Sequence, residues 1–203
     1  MDEINEEGVR LRSLIPKYKD GNQLKEHLNQ FDINMVTPII KRNTLVKHQI
    51  RFDSRIVASE EYNIFLKLAC VGKFCSVNEV LGVWRIREDS LTNQSSEHWS
   101  KDRRLTLDSL KELKPEITTV YSKEFNKAYS TSYYYEARHL MLRKKIKKAR
   151  NKMKKIRFEN LTFFILWLIS YSVSLWYFVH RESIKRILSS YVLGFSKAVK
   201  GRN

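Results

Sequence analysis

The sequence predicts a mixed α/β chain that is followed by a mainly helical C-terminal extension. Short apolar segments near Met35, Phe74 and Val80 are bounded by turn residues or proline, a pattern that is typical of strands. Elsewhere the apolar residues recur at helical spacing. No glycine occurs between Gly82 and Gly194, which favours long helices in the second half of the chain.

Composition limits the class of protein. The 203 residues suffice for one domain with an appendage, and the hydrophobic content of 42% allows a packed core. The formal net charge of +16 predicts attraction to phosphate groups, anionic lipid or nucleic acid. Residues 1–30 are polar and mixed in charge, so no secretory signal is expected. We therefore expect Cys70 and Cys75 to be reduced core residues rather than disulfide partners or zinc ligands.

The N-terminal third is predicted to contain short elements. An Asp-Gly turn at residues 20–21 is expected to precede a short helix that carries Leu24 and Leu28. Residues 35–40 are predicted as a buried strand or extended segment, because Pro38 disfavours a helix there. Residues 44–48 are compatible with one helical turn.

The next helix is predicted to begin at Glu60, with Ser59 as its N-cap and Gly72 at its C-terminal end. Acidic residues in the first turn suit the positive end of the helix dipole. The predicted buried stripe contains Ile64, Phe65, Leu68 and Ala69. Strands are then expected at residues 74–77 and 80–86.

Two longer helices lead into the extension. Apolar spacing predicts a helix over Trp99–Leu113, which Pro115 closes, and a long helix over residues 121–142. Composition then divides the chain into residues 1–115, a basic helical segment at 116–157, and apolar or amphipathic helices at 158–203.

The extension joins a strongly basic stretch to an uncharged one. Residues 138–157 contain eleven Lys or Arg and no acid, and residues 161–179 contain no charge. The uncharged run is just long enough to cross a hydrocarbon core about 30 Å thick. The residues expected to contact anionic headgroups, at roughly 1 kcal/mol per cation, or the membrane interface are Lys144, Lys145, Lys147, Lys148, Trp167 and Trp176.

The placement of the uncharged run stays open at this point. Both flanks are positive, and Ser170, Ser172 and Ser174 allow a bend near its middle. A re-entrant hairpin or an in-plane helix fits that charge pattern better than a single span, and a buried helix of a soluble protein is the alternative. Nucleic-acid binding is disfavoured, because no recognition motif accompanies the basic stretch. We expect a location at the cytoplasmic face of the cell membrane.

Carboxylates and arginines form the candidate reactive set. Glu60 and Glu61 begin a helix, where acids are also common for structural reasons. Asp53 precedes them, and Arg85, in a predicted strand, and Arg87, just after it, follow. At one edge of a sheet, a carboxylate can deprotonate an attacking hydroxyl while guanidinium groups hold a departing diphosphate.

These residues occur in an ordered series of motifs over residues 15–95. The stretches are NMVTPIIKRNTL, RFDSRIVASEEYNIFLKLACVGKF and VNEVLGVWRIREDSLT. Their order and spacing resemble the C-terminal half of family 2 inverting glycosyltransferases, of the kind that build bacterial surface polysaccharides. The resemblance implies a partial GT-A (Rossmann-like) fold, followed here by the membrane-associated helical extension. It also implies a nucleotide-sugar donor and a glycan or lipid-linked acceptor.

The resemblance gives each matching position a role. Glu60 and Glu61 stand at the family's Glu-Asp pair, and Glu61 occupies the place of the general base, with Glu where the family has Asp. Asp53 matches an aspartate that shapes the loop. Arg85 and Arg87 match positions near the donor diphosphate, although many relatives have His at the second, and the residues after Arg87 match a mobile loop that closes over the donor.

The family's metal motif is absent from the chain. No Asp-x-Asp occurs in it, although that motif holds the Mg or Mn ion on the donor phosphates in the family. The resemblance therefore implies a truncated or split enzyme that is inactive alone, or one completed by a separate donor-binding chain. The alternative is a non-enzymatic, membrane-bound scaffold or partner subunit that is anchored by the polybasic and apolar C-terminus.

Overall fold

The computed structural model describes residues 1–15, 20–87 and 97–180. The chain divides into two compact units, Met1–Glu136 and Ala137–Asn203. The boundaries predicted at residues 115 and 157 follow composition, whereas this division follows packing and falls inside a helix. The two units are described separately.

A three-stranded sheet forms part of the first unit. Strand β1 (Asp2–Ile4) pairs antiparallel with β2 (Arg10–Ser13) and parallel with β3 (Val83–Arg85), so the order is β2-β1-β3. Gly8, at φ +87°, supplies the left-handed residue in the β1–β2 connection. Strands β1 and β2 were not predicted, because their polar residues show no apolar alternation.

An ion pair between a buried carboxylate and an exposed arginine joins the first two strands. Glu3 is 2% exposed, and its carboxylate accepts hydrogen bonds from Nε and one terminal nitrogen of Arg12. Two-pronged contacts of this kind are the strong form of the Arg–carboxylate pair. This pairing explains how a polar segment forms a hairpin with little apolar content.

Helices are the main regular secondary structure of the first unit. The described helices are α1 (Leu24–Asn29), α2 (Arg42–Lys47), α3 (Glu60–Val71), α4 (Trp99–Leu113), α5 (Ile117–Val120) and α6 (Ser122–Leu142), the last of which continues into the second unit. The mixed α/β class is confirmed, with helix predominating. The predicted bounds of α4 are confirmed, and α6 begins one residue after the predicted start.

The core of the first unit lies between α1, α3, α4 and the start of α6. Leu66, Leu107 and Leu110 are fully buried in it, together with Tyr62 at 1% exposure. A second cluster contains Ile64, Phe65 and Leu68 from the other side of α3. Because α3 buries residues on both sides, it is the central helix of this unit.

Three local predictions are corrected. Residues 35–40 form a turn and an exposed segment rather than a buried strand, and Ile39 is 99% exposed. Phe74 makes a single bridge to Gly21 instead of beginning a strand over residues 74–77. Ser59 occupies the N-cap position of α3, but within the described residues its side chain makes no capping hydrogen bond.

The second unit contains the end of α6 and three further described helices, α7 (Ile146–Ile156), α8 (Leu161–Ile169) and α9 (Val173–Val179). The uncharged run is therefore broken at residues 170–172, where the sequence allowed a bend. Among the residues that the structure describes, no helix combines the length and apolar character needed to cross a membrane. The basic tail after His180 lies outside the described residues.

Candidate functional site

A cleft of about 370 Å³ opens at the N-terminal end of α3. Its described lining residues are Phe31, Val57, Ala58, Ser59, Glu60, Glu61, Tyr62, Trp99, Arg103 and Tyr135. Glu60 is exposed, whereas Glu61 is half-buried. The structure thus places the predicted carboxylate pair in a concave site with aromatic walls, a common form for small-molecule sites.

Asp102 holds the loop that leads into α3. This side chain of α4 is completely buried, and its Oδ2 accepts hydrogen bonds from the backbone N–H of Val57 (3.1 Å) and of Ala58 (2.7 Å). A charged acceptor strengthens both bonds. Asp102 therefore fixes the backbone two residues before the carboxylate pair.

The two carboxylates differ in environment. Burial raises the pKa of the Glu61 carboxyl above its ordinary value of 4.5, and the nearby charges of Glu60 and Asp102 raise it further. A hydrogen bond from its own backbone N–H and the charge of Arg103 act in the opposite direction without cancelling the rise. A carboxyl with a raised pKa is suited to general acid–base catalysis.

Arg103 is the cation of the cleft. Its guanidinium carbon lies 4.0 Å from the ring centroid of Tyr62 and 5.1 Å from that of Tyr135. These distances indicate cation–π contacts, in which the ring faces hold the guanidinium group in place. Within the described residues, its buried Nε has no hydrogen-bond partner. The ring contacts of Arg103 therefore hold a positive charge in the lining of the cleft.

Aromatic rings form the rest of the wall. Trp99 packs edge-on against Tyr135 at 5.6 Å between ring centroids, and Phe31 packs edge-on against Tyr62 at 5.2 Å. Edge-to-face pairs of this kind restrict ring orientation. Burial also raises the pKa of the Tyr62 hydroxyl above its ordinary value.

The predicted arginine pair lies elsewhere in the first unit. Arg85 belongs to β3, and its guanidinium group donates to the carbonyl oxygens of Asn5 (3.0 Å) and Glu6 (2.6 Å). Neither Arg85 nor Arg87 is among the described residues that line the cleft. Their role in diphosphate binding stays a prediction. The predicted donor-closing loop after Arg87 falls mostly on residues 88–96, outside the described residues.

Asp53 forms a local turn with Arg55. Its Oδ1 accepts from the backbone N–H of Arg55 at 3.0 Å and from Nε at 2.9 Å, and its Oδ2 accepts from a terminal nitrogen at 2.7 Å. The hydrogen bond from the Arg55 side chain is the main reason why the pKa of Asp53 falls to about 2. This geometry suits a residue that shapes the loop before α3.

The acids at the cleft do not fit the Mg or Mn ion that the resemblance implies. Across residues 1–15, 20–87 and 97–180, no group of three or more His, Cys, Asp or Glu side chains is placed to hold a metal ion. Asp102 already serves two backbone N–H groups, and Glu61 lies near the charge of Arg103. Such a set differs from the convergent oxygen ligands that these cations need.

Sequence reasoning missed Arg103 and undervalued two aromatic residues. The sequence predicts Trp99 only as the first residue of a helix and Tyr135 only as a position within the helix over residues 121–142. One signal was present, because residues 99 and 103 are four apart and therefore share a face of α4. The contribution of Tyr135 depends on how α6 packs, which local spacing does not reveal.

The residues predicted at a membrane lie in the second unit. Lys144 and Lys145 are exposed between α6 and α7, and Lys147 and Lys148 are exposed on α7. Trp167 is half-buried on α8. The placement of Trp176 at the interface is corrected, because this residue is 2% exposed.

The burial of Trp176 has a local cause. Its ring stacks on His180 at 4.3 Å between ring centroids, and the two residues contribute to a cavity of about 270 Å³ within the second unit. Arg138, Leu142 and Tyr177 complete the described lining of that cavity. The side chain of Trp176 therefore serves internal packing in this unit.

Comparisons with protein-family models, curated proteins and solved structures found no match for this chain. The resemblance to family 2 glycosyltransferases is therefore carried by its ordered motifs alone. The residues of the cleft supply the physical basis for a functional proposal.

Proposed function

We propose that the first unit carries the acceptor side of an inverting glycosyltransferase of the family 2 type, with Glu61 as its general base. The observation that carries the proposal is the half-buried Glu61 carboxyl, whose pKa is raised, in an aromatic cleft beside Arg103. The ordered motifs around residues 51–74 support the same assignment. The proposal includes a partial GT-A fold for the first unit.

The proposed chemistry is a single displacement. The Glu61 carboxylate accepts the proton of an acceptor hydroxyl as the oxygen forms a bond to the anomeric carbon of the donor sugar. The bond from that carbon to the nucleoside diphosphate breaks, and its electron pair leaves with the diphosphate. Attack from the face opposite the leaving group inverts the configuration.

The cleft also suits the binding of a sugar ring. Trp99 and Tyr135 line the cleft with aromatic side chains against which the C–H groups of a ring can pack, and Arg103 offers N–H donors to its hydroxyl groups. Glu60 lies at the exposed rim, where a second hydroxyl of the acceptor is within its reach. Orientation of the acceptor by these groups brings one hydroxyl to Glu61.

In this proposal, the site that binds the nucleotide-sugar donor lies in a separate region or chain. The nucleotide sugar and its Mg or Mn ion are held by a region or chain that supplies an Asp-x-Asp motif, and Arg85 and Arg87 contribute to diphosphate binding. The acceptor is a glycan or lipid-linked sugar in bacterial surface polysaccharide synthesis, at the cytoplasmic face of the membrane.

The test measures sugar transfer in membranes from cells that make the protein. Membranes with the wild-type chain or the Glu61→Gln variant receive labelled nucleotide sugars, and label in lipid and glycan fractions is measured. We expect the variant to lose transfer by about 10²–10⁴-fold, the usual contribution of a general base. Glu112→Gln is the matched control, because it removes the same charge from an exposed position on α4.

Equal transfer by the wild type and Glu61→Gln would overturn the proposed role of Glu61. Loss of transfer in both variants would point to a change in folding or amount, which circular dichroism and quantitative blotting detect. Transfer that requires the chain but is unchanged in Glu61→Gln would be consistent with the family resemblance. It would exclude Glu61 as the general base.

A non-enzymatic, membrane-bound scaffold or partner subunit is the second candidate. The observation in its favour is the basic helix α7 beside the apolar helices α8 and α9 in the second unit. Metal-dependent binding of a nucleotide sugar by the assembled complex separates the two candidates, because a scaffold should bind none.

A further inference from the structure

Helices α8 and α9 expose an unusual amount of apolar side chain. Leu161 is 72% exposed, Leu168 50% and Phe178 56%. Ile165, Tyr171, Val173, Leu175 and Tyr177 are between 37% and 58% exposed. Exposed apolar side chains in this number are unfavourable in water, and large apolar patches commonly mark an interaction site.

Helix α7 supplies a charged face beside this apolar surface. Its stripe of Ala149, Met153 and Ile156 is buried, and Lys147, Lys148, Lys154 and Lys155 are exposed on the other side. Helix α7 packs against α8 within the second unit. The unit thus combines cations and apolar side chains, which together match the headgroups and acyl chains of an anionic membrane.

Arg150 holds the bend between α8 and α9. Its Nε donates to the carbonyl oxygen of Ser170 at 2.9 Å, and a terminal nitrogen donates to that of Tyr171 at 3.0 Å. Its guanidinium carbon also lies 4.8 Å from the ring centroid of Tyr171. These contacts place a cation of α7 at the turn of the apolar hairpin.

We propose that α7, α8 and α9 lie in the plane of an anionic membrane, with the apolar side chains of α8 and α9 at the acyl boundary and the lysines of α7 among the headgroups. The proposal concerns only the second unit and does not rest on glycosyl transfer. It selects one of the placements that the sequence left open.

The position of Arg150 is the reason for preferring an in-plane placement over a re-entrant one. A re-entrant hairpin would carry its bend deepest into the hydrocarbon, together with Arg150 and the adjacent basic helix. Charged groups at that depth are costly. With the helices in the plane, the apolar face enters about 5–10 Å and every cation remains at headgroup level.

The binding test uses the full chain and vesicles of phosphatidylcholine, alone or mixed with phosphatidylglycerol. We expect strong flotation with the mixed vesicles only. Ile165→Asp/Leu168→Asp should lower partitioning by more than about ten-fold, because charges replace side chains at the acyl boundary. Lys147→Gln/Lys154→Gln should lower it by about 25-fold, since each cation near an anionic surface contributes about five-fold.

Matched controls change the same chemistry in the first unit. Ile39→Asp/Val46→Asp introduces two carboxylates at side chains that are 99% and 66% exposed, and Lys47→Gln/Lys101→Gln removes two exposed cations. Both should bind as the wild type does, within about two-fold. Equal losses in controls and test variants would show a general charge effect and would overturn the proposal.

A depth measurement tests the in-plane geometry. Single cysteines at Leu161 and Leu168, in a Cys70→Ala/Cys75→Ser background, carry a polarity-sensitive fluorophore, and lipids carry a quencher at a shallow or deep acyl position. These two residues are seven apart on one face of α8, and Leu168 is the nearer to the bend, so an in-plane helix should give the same shallow depth at both sites. A clearly deeper Leu168 would establish a re-entrant hairpin and overturn the in-plane placement.

Two other occupants of the surface have distinct outcomes. Binding to RNA or DNA that is lost in the lysine variant but kept in the Asp variant, with no vesicle binding, would replace the membrane with nucleic acid. A dimer in solution that the Asp variant converts to a monomer, again with no vesicle binding, would assign the face to a second copy of the chain. Either result would overturn the proposal.

Discussion

Glu60 and Glu61 are neighbours in the chain but lie in different surroundings. Glu60 is exposed at the rim of the cleft, and Glu61 is half-buried below it. Neighbouring positions on a helix point about 100° apart, so one side chain faces solvent while the next faces the wall. Glu61 is therefore the candidate base, and the charge of Glu60 modulates its pKa.

Removal of the Glu60 charge should lower the pKa of Glu61. The negative charge of Glu60 raises that pKa, because two nearby carboxylates resist simultaneous ionisation. In Glu60→Gln, NMR titration of the Glu61 carboxyl carbon should therefore show a lower midpoint than in the wild type. The Glu112→Gln control should leave the midpoint in place, and an equal shift in both variants would contradict the assignment.

The raised pKa of Glu61 has a predicted effect on stability. The folded state binds more protons than the unfolded state above pH 4.5, so the free energy of unfolding falls as pH rises through the folded pKa. Glu61→Gln has no carboxyl to titrate at this position. Its stability relative to the wild type should therefore increase as the pH rises from acidic to neutral. Urea unfolding across that range measures the difference, and a constant difference would refute the pKa shift.

The two cysteines should react at very different rates. Cys70 is 6% exposed within the core, and burial raises its pKa to about 11. Cys75 is exposed, so the expectation that both cysteines are core residues is correct for Cys70 and wrong for Cys75. Because the thiolate is the reactive form, a thiol reagent should modify Cys75 first, and Cys75→Ser should remove the fast phase. A fast phase that survives in that variant would show that Cys70 is accessible.

At the scale of elements, α4 connects the core to the cleft. Leu107 and Leu110 are fully buried, while Asp102 and Arg103, in the first turns of the same helix, serve the loop and the cleft. Helical periodicity distributes these functions over different faces. Packing of α4 against α3 therefore also sets the position of Arg103 relative to Glu61.

Replacement of Asp102 should be costly. Asp102→Ala leaves the N–H groups of Val57 and Ala58 without their acceptor, and each lost bond to a charged group is worth about 1.5–3 kcal/mol. Part of that cost is recovered if water enters, so we expect a loss of about 2–4 kcal/mol in urea unfolding. Glu112→Ala, an exposed acid on α4, should change stability by less than about 0.5 kcal/mol.

An Asp102→Ala protein with unchanged stability would mean that the loop does not depend on this carboxylate. A folded protein in which the pKa of Glu61 is lower would agree with loss of the Asp102 charge, which raises that pKa in the wild type. NMR titration of the variant distinguishes these results.

At the scale of the whole molecule, charge and apolar surface have different salt dependence. The net charge of +16 attracts anionic surfaces through interactions that are screened beyond about 10 Å at 0.1 M salt. The apolar contribution to membrane binding persists under the same conditions. If both charge and apolar surface contribute to membrane binding, a salt titration should show one component of binding that salt removes and one that salt leaves in place.

Vesicle binding of the wild type should fall with salt to a plateau above zero. Ile165→Asp/Leu168→Asp should lose that salt-resistant plateau, because the apolar contribution is removed while nearly all positive charge remains. Flotation in increasing sodium chloride measures both curves. Identical plateaus would indicate that α8 does not contact the acyl region.

The local parts of the fold were predictable from sequence. The helix over Trp99–Leu113 was predicted with its observed bounds, and the start of α3 at Glu60 was also confirmed. Helices are formed by hydrogen bonds between residues close in sequence, so their spacing and breakers appear directly in the chain. The basic and uncharged stretches of the extension are likewise properties of composition, which needs no knowledge of packing.

Local sequence accounts for the longer helices, the carboxylate pair at the start of α3 and the basic and apolar parts of the extension. Tertiary packing decides the pairing of β1 with β3, the separation of Arg85 from the cleft lining, and the burial of Trp176. Packing also brings Arg103 and Tyr135 to the cleft that contains Glu61. These features depend on contacts between residues distant in sequence, which local periodicity does not encode.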